Sequence, residues 1–172
     1  MLPRSRTRLI AVVAVLALGG GGAGAALASS GDEGQGSHAR GCHDPHVLER
    51  NKANVVAFYT TAFNDAQPEL AVARYVGDTY IQHNPLAADG PQAFIAFVKA
   101  FTAQYPDLNV DIKRVIAECD LVVTHSHLTL SSTDRGSAVA DIFRLDRRGK
   151  VVEHWDVIQP VPATSANDNG MF

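Results

Sequence analysis

The apolar residues of this chain change period once, and that change limits the folds open to it. Up to Gln104 they recur every three or four residues, and beyond Pro106 they alternate. Asp44-Pro45 is a helix start, an N-cap acceptor followed by proline at the first helical position. Val47, Leu48, Val55, Phe58, Tyr59, Ala62 and Phe63 continue it at helical spacing. Pro68 opens a second, short helix ending near Gly77. Residues 80–83 form a short extended piece stopped by Asn84-Pro85. Asp89-Gly90-Pro91 caps a third helix, with Phe94, Phe97, Val98 and Phe101 on one face. Strands are then expected over 110–116, 121–130, 137–145 and 151–158, with a turn at Glu118-Cys119-Asp120. Helices followed by a meander of long strands predict an α+β layer fold, a curved antiparallel sheet wrapping the helices around a pocket.

The N-terminus carries a different signal. Arg4, Arg6 and Arg8 precede an aliphatic run from Leu9 to Leu18, and Ala26-Leu27-Ala28 forms an A-x-A-like cleavage site. Residues 1–28 therefore read as a secretory signal peptide, which places the protein outside the cytoplasm, secreted or in the cell envelope. Residues 29–42, Gly/Ser-rich and polar, read as a flexible tether, and 43–172 as one domain able to bury its own core. The formal net charge is −3 and the cations are scattered, so a nucleic-acid partner is not expected. Two cysteines, Cys42 and Cys119, permit a disulfide in an exported chain without specifying one.

Chemistry concentrates on the strands. In the strand over 137–145, Val139, Asp141, Phe143 and Leu145 share a face. A lone carboxylate on such a face is costly to bury unless compensated. Burial raises a carboxylate's pKa towards neutrality, the property of a general acid/base. The other reading is a carboxylate that anchors a histidine or a backbone N–H. His125 and His127 stand two apart and point to one side, and His83 ends the short extended piece. They could steer protons for Asp141 and donate to a developing enolate, or ligate a divalent metal as a three-histidine set, or be satisfied within a wet cavity. In the last strand either Val151, Glu153, Trp155 and Val157 face inward, or Val152, His154, Asp156 and Ile158 do; the single Trp favours the first set as cavity lining. Tyr80 and Tyr59 could add hydroxyl donors or belong to the core, and His38, His43 and His46 read as exposed.

The order of elements, with residues 80–85, Ala117-Glu118-Cys119-Asp120-Leu121-Val122-Val123 and the strands of Asp141 and Trp155, resembles the SnoaL-like polyketide cyclase family. That family belongs to the nuclear transport factor 2-like superfamily of cone-shaped α+β barrels. Residues 153–160 (EHWDVIQP) resemble its subgroup of SnoaL-like aldol condensation-catalysing enzymes. The resemblance implies a pocket acid/base at Asp141 and a homodimer formed through the outer sheet face. It also implies Gly at the position of Cys119, a departure consistent with a bridge to Cys42.

Together these readings predict an exported enzyme without metal or cofactor, acting on a hydrophobic carbonyl compound by aldol-type condensation, cyclisation or cleavage. Asp141, His83 and His125 would do the chemistry; His127, Trp155, Tyr80, Phe143 and His154 would bind the substrate. The alternative from another class is a secreted module of the same fold that binds a small molecule without turning it over.

Overall fold

Asp44 caps the first helix as its sequence requires, its carboxylate accepting from the His46 N–H at 2.9 Å. The structure, a computed structural model, describes residues 44–172. The expected signal peptide and tether, and Cys42, lie outside the described residues. Helix α1 spans Pro45–Tyr59 and runs on into a π-helical turn, Thr60–Asn64, which the periodicity did not foretell. Asn64 closes that turn onto the sheet: its amide donates to the Val110 carbonyl at 3.0 Å and accepts from the Val110 N–H at 2.8 Å. Helix α2 is Pro68–Tyr75 and α3 is Pro91–Gln104, both opened by proline. Among the described residues no helix is long and apolar enough to cross a membrane.

Five strands follow or interleave: β1 Val76–Gln82, β2 Asn109–Glu118, β3 Leu121–Thr129, β4 Ser137–Leu145 and β5 Val151–Pro160. Their order in the single sheet is β1-β5-β4-β3-β2. The last four strands pair as antiparallel neighbours, as alternation predicted. The short extended piece is longer than its sequence suggested, and it lies parallel to β5 at the edge. The α+β class therefore holds, with a mixed, open sheet in place of a wholly antiparallel one. Cys119 turns the chain between β2 and β3 at φ +56°, a conformation that favours glycine, which accounts for glycine being the expected residue there.

One irregularity decides what faces the helices. Arg144 pairs with Glu153 and Leu145 with Val151, so Val152 is an extra residue bulged out of β5. The bulge lets Val151 point inward and then puts His154 and Asp156 inward too, with Glu153 and Trp155 outside. Strict alternation could not give that set, and the expectation that Trp155 lines the interior is corrected here.

The core lies between the helices and the inner sheet face. Val55, Phe58, Val98, Val122, Phe143 and Val151 are fully buried. Phe58 sits at its middle, its ring 4.9 Å from Phe94 and 5.6 Å from Tyr59. Aromatic side chains dominate because each removes a large apolar area from water.

Candidate active site

Beside this core, where α3 and the loop after β1 stand off the sheet, a cavity of about 290 Å³ opens. Its walls are Phe63, Phe94, Phe97, Phe101, Leu128 and Val139, and its polar lining is Tyr59, Tyr80, Gln82, Asn84, Ser126, Asp141, His154 and Asp156. Helix α3 presents Phe94, Phe97 and Phe101 to it because those positions recur on one face, while Val98 goes to the core.

Asp141 is 3 % exposed and is not the uncompensated carboxylate that the sequence suggested. Thr124, directly opposite it on β3, donates to Oδ2 at 3.0 Å. The Tyr59 hydroxyl, from the last turn of α1, donates to Oδ1 at 3.0 Å. His154 Nε2 lies 3.2 Å from the same Oδ1 and 3.0 Å from Tyr59 Oη. On its far side His154 Nδ1 meets Gln82 Oε1 at 2.8 Å. That oxygen also receives the backbone N–H groups of His83 and Asn84 at 3.1 and 3.2 Å, which fixes it as an acceptor and puts a proton on His154 Nδ1. A neutral ring would then offer only a lone pair at Nε2 to the carboxylate, with one phenol proton for the whole triangle. Tyr59 Oη, Asp141 Oδ1 and His154 Nε2 thus lie mutually within hydrogen-bond distance, an arrangement through which a proton can move.

Two further hydroxyls are buried with no hydrogen-bond partner among the described residues, Tyr80 Oη and Ser126 Oγ. Both line the cavity. Gln82 lies close to Tyr80 Oη and opposes the rise in its pKa, yet the two do not meet with hydrogen-bond geometry. Burial pushes the pKa of both Tyr59 and Tyr80 up, and the Asp141 charge adds to each rise. Both phenols therefore stay donors at neutral pH. Unfolded tyrosine ionises near pH ~10. The stability that these raised values contribute is present below about pH 10 and is lost as pH climbs from there towards the folded values. Alkaline titration followed by phenolate absorbance checks this. Tyr59→Phe and Tyr80→Phe are expected to subtract nothing from the signal of the folded protein, and a loss in either variant before unfolding would contradict the assignment.

Asp156 stands directly opposite Asp141 across β4 and β5. Its Oδ2 accepts from the Asn84 side-chain amide at 2.7 Å. Asp141, His154 and Asp156 place their ligating atoms within 4.8 Å of one another and are the residues, among those described, that could hold a metal ion here.

The other expected site residues lie elsewhere. Phe143 is fully buried beneath Tyr59 and His154, its ring 5.0 Å from each. His83 is on the outer side, bonded to Glu153 at 2.8 Å and stacked on Trp155 at 4.5 Å. That contact, followed by the Arg144 guanidinium, holds the Glu153 carboxyl below its usual range against the opposing effect of desolvation. His125 and His127 face outward, against Phe172 at 5.6 and 4.3 Å. Arg114 donates to His125 Nδ1 at 3.0 Å, and His127 donates to the Arg135 carbonyl at 2.8 Å. The three-histidine metal set is therefore not assembled. Asp156 and Gln82 were missed as site residues. The alternative facing of β5 named Asp156, and the bulge that selects it has no mark in the sequence.

An α+β layer with an apolar cavity and a few converging polar groups defines a small-molecule pocket protein. Residues 55–154 match the SnoaL-like domain, and the chain belongs to that family. No curated protein sequence matches it. Among solved structures it is similar to TsrD from Streptomyces laurentii at 17 % identity and TM-score 0.54, over 67 % of this chain and 90 % of that one. A candidate SnoaL-like polyketide cyclase from Jannaschia is 20 % identical at TM-score 0.54, over 67 % and 89 % of the two chains. A SnoaL-like protein of unknown function from Burkholderia thailandensis is 14 % identical at TM-score 0.52, over 67 % and 97 %. At these identities the likeness establishes the shared fold.

Proposed function

We propose that this protein is an acid/base enzyme acting on a carbonyl compound held in the cavity, with Asp141 as the proton carrier and no cofactor. The observation that carries the reading is the Tyr59–Asp141–His154 triangle at the polar end of an apolar cavity. Asp141 Oδ2 takes only the Thr124 hydroxyl, so an acceptor position remains on it for a proton from the carbon beside a carbonyl. Tyr80, an unpartnered neutral phenol, is the donor available to the enolate oxygen as charge develops there. The enolate then attacks an intramolecular carbonyl or, in the reverse direction, is the product of bond cleavage. Asp141 returns the proton, and His154 adjusts the charge of the carboxylate through each transfer. The reading replaces His83 and His125 with Tyr80 and His154 in the roles that the sequence assigned to them.

The test is deuterium uptake from solvent at the acidic carbon of a two-ring ketone such as 1-tetralone. Acceleration by the protein supports the proposal; a protein that binds the ketone without accelerating uptake is a binding module. Export and dimerisation belong to the same proposal. The charged and aliphatic run of residues 1–18 supports export. Ile116, Ile142 and Val157, exposed on the outer sheet face, support a homodimer. Intact mass is expected to show a mature chain beginning at Ser29, and sedimentation twice the monomer mass. A full-length mass or a monomer at micromolar concentration would refute the respective part.

A further inference from the structure

The cavity has a charge pattern that proton transfer by Asp141 does not require. Among its described lining residues none is lysine or arginine, and two are aspartates directly opposite each other on neighbouring strands. Like charges in that relation are destabilising. The hydrogen-bonded partners of Asp156 and Asp141 here are the Asn84 amide, two hydroxyls and an imidazole. Asn84 occupies one oxygen of Asp156, leaving the other for a donor from within the cavity. The second, independent feature is the pair of unpartnered hydroxyls in the same cavity, Tyr80 at 2 % and Ser126 at 1 % exposure. A buried hydroxyl without a partner loses its water and gains nothing, unless a ligand supplies the bond.

We propose that Asp156 is a specificity-determining residue of this cavity, which accepts a hydrogen bond from a ligand hydroxyl and rejects anionic ligands. The complement of the lining is then an uncharged molecule with an apolar ring body. It carries a carbonyl oxygen to accept from the Tyr80 or Ser126 hydroxyl and a hydroxyl to donate to Asp156. A carboxylate or phosphate in the same place would meet two aspartates, with no lysine or arginine among the described lining residues to offset them. The proposal rests on the acid/base reading only in taking this cavity as the substrate site.

Binding, not turnover, tests it, so the two ideas fail separately. Calorimetric or competition binding at pH 7 would use 1-tetralone, 6-hydroxy-1-tetralone and 6-carboxy-1-tetralone. The hydroxy ketone is expected to bind roughly 10-fold or more tighter than the parent, the size of a hydrogen bond to a charged acceptor. The carboxy ketone should show no binding. Asp156→Leu should bring the hydroxy and parent ketones to within about threefold, and Asp156→Asn should admit the carboxy ketone; thermal melting shows which variants are folded. Equal affinity of wild type for parent and hydroxy ketone would overturn the proposal. So would a carboxy ketone bound as tightly as the hydroxy one, or no binding of the hydroxy ketone at all. If the preference holds but wild type accelerates no deuterium uptake, selectivity stands and the enzymatic reading falls.

Discussion

Asp141→Asn is expected to lower ketone deuterium uptake by about 10²–10⁴-fold, the usual share of one positioned proton-transfer group. The substitution keeps the side chain's shape, so the Tyr59 hydroxyl can still donate to the amide oxygen. Thr124 then faces an amide N–H where Oδ2 accepted its proton, and reorienting it costs about 1–3 kcal/mol. The variant should therefore fold, melt somewhat lower, and still bind the ketone. Those three results together separate a chemical role from a structural one. Uptake rates measured by mass spectrometry at saturating ketone decide the matter, and a variant with more than about half of wild-type rate would show that Asp141 is an anchor for His154 and Tyr59 alone. His154→Gln supplies the comparison. If the histidine only orients the carboxylate, uptake should fall by less than in Asp141→Asn.

Phe58→Ala is the substitution expected to cost most stability. Phe58 is fully buried and its ring contacts Tyr59, Tyr80, Phe94 and Phe143, so it joins α1, β1, α3 and β4 in one cluster. Removing the ring loses its transfer free energy and leaves a cavity that four rigid aromatic neighbours cannot close, about 3–5 kcal/mol in all. For a domain of this size that lowers Tm by on the order of 10–20 °C, measured by circular dichroism. Phe58→Leu, which keeps much of the apolar volume, should lose less. Because Tyr59 and Tyr80 both rest on this ring, the alanine variant should also bind ketones more weakly than its residual folded fraction explains. An unchanged Tm would mean that the core is far more plastic than its packing indicates.

The sequence made the helices and the last four strands legible because their periods are strong and their starts are marked by proline. It also pointed to Asp141, since a carboxylate amid Val139, Phe143 and Leu145 is conspicuous. It could not show what compensates that carboxylate. Thr124 and Ser126, small polar residues beside histidines, drew no site reading, and the pairing of β3 with β4 sets Thr124 directly opposite Asp141. The histidines misled for the complementary reason: an imidazole is at home on a wet, aromatic outer surface, where Trp155 and Phe172 receive His83, His125 and His127. The facing of β5 turned on Val152, a residue with nothing unusual about it except that the ladder skips it. The parallel pairing of β1 was equally hidden, since it links residues some 70 positions apart.

That pairing sets when the site can be completed. The final strand is not an edge; it inserts between the first and the fourth, so a nascent chain can zip the three middle strands together long before the sheet can be completed. Until β5 is in place, Asp141 can meet Thr124 across β3 and β4, but His154 is missing and β1, which carries Gln82, has no strand to pair with. The Tyr59–Asp141–His154 triangle is thus complete only once the last strand has docked, and the proposed proton transfer depends on that docking.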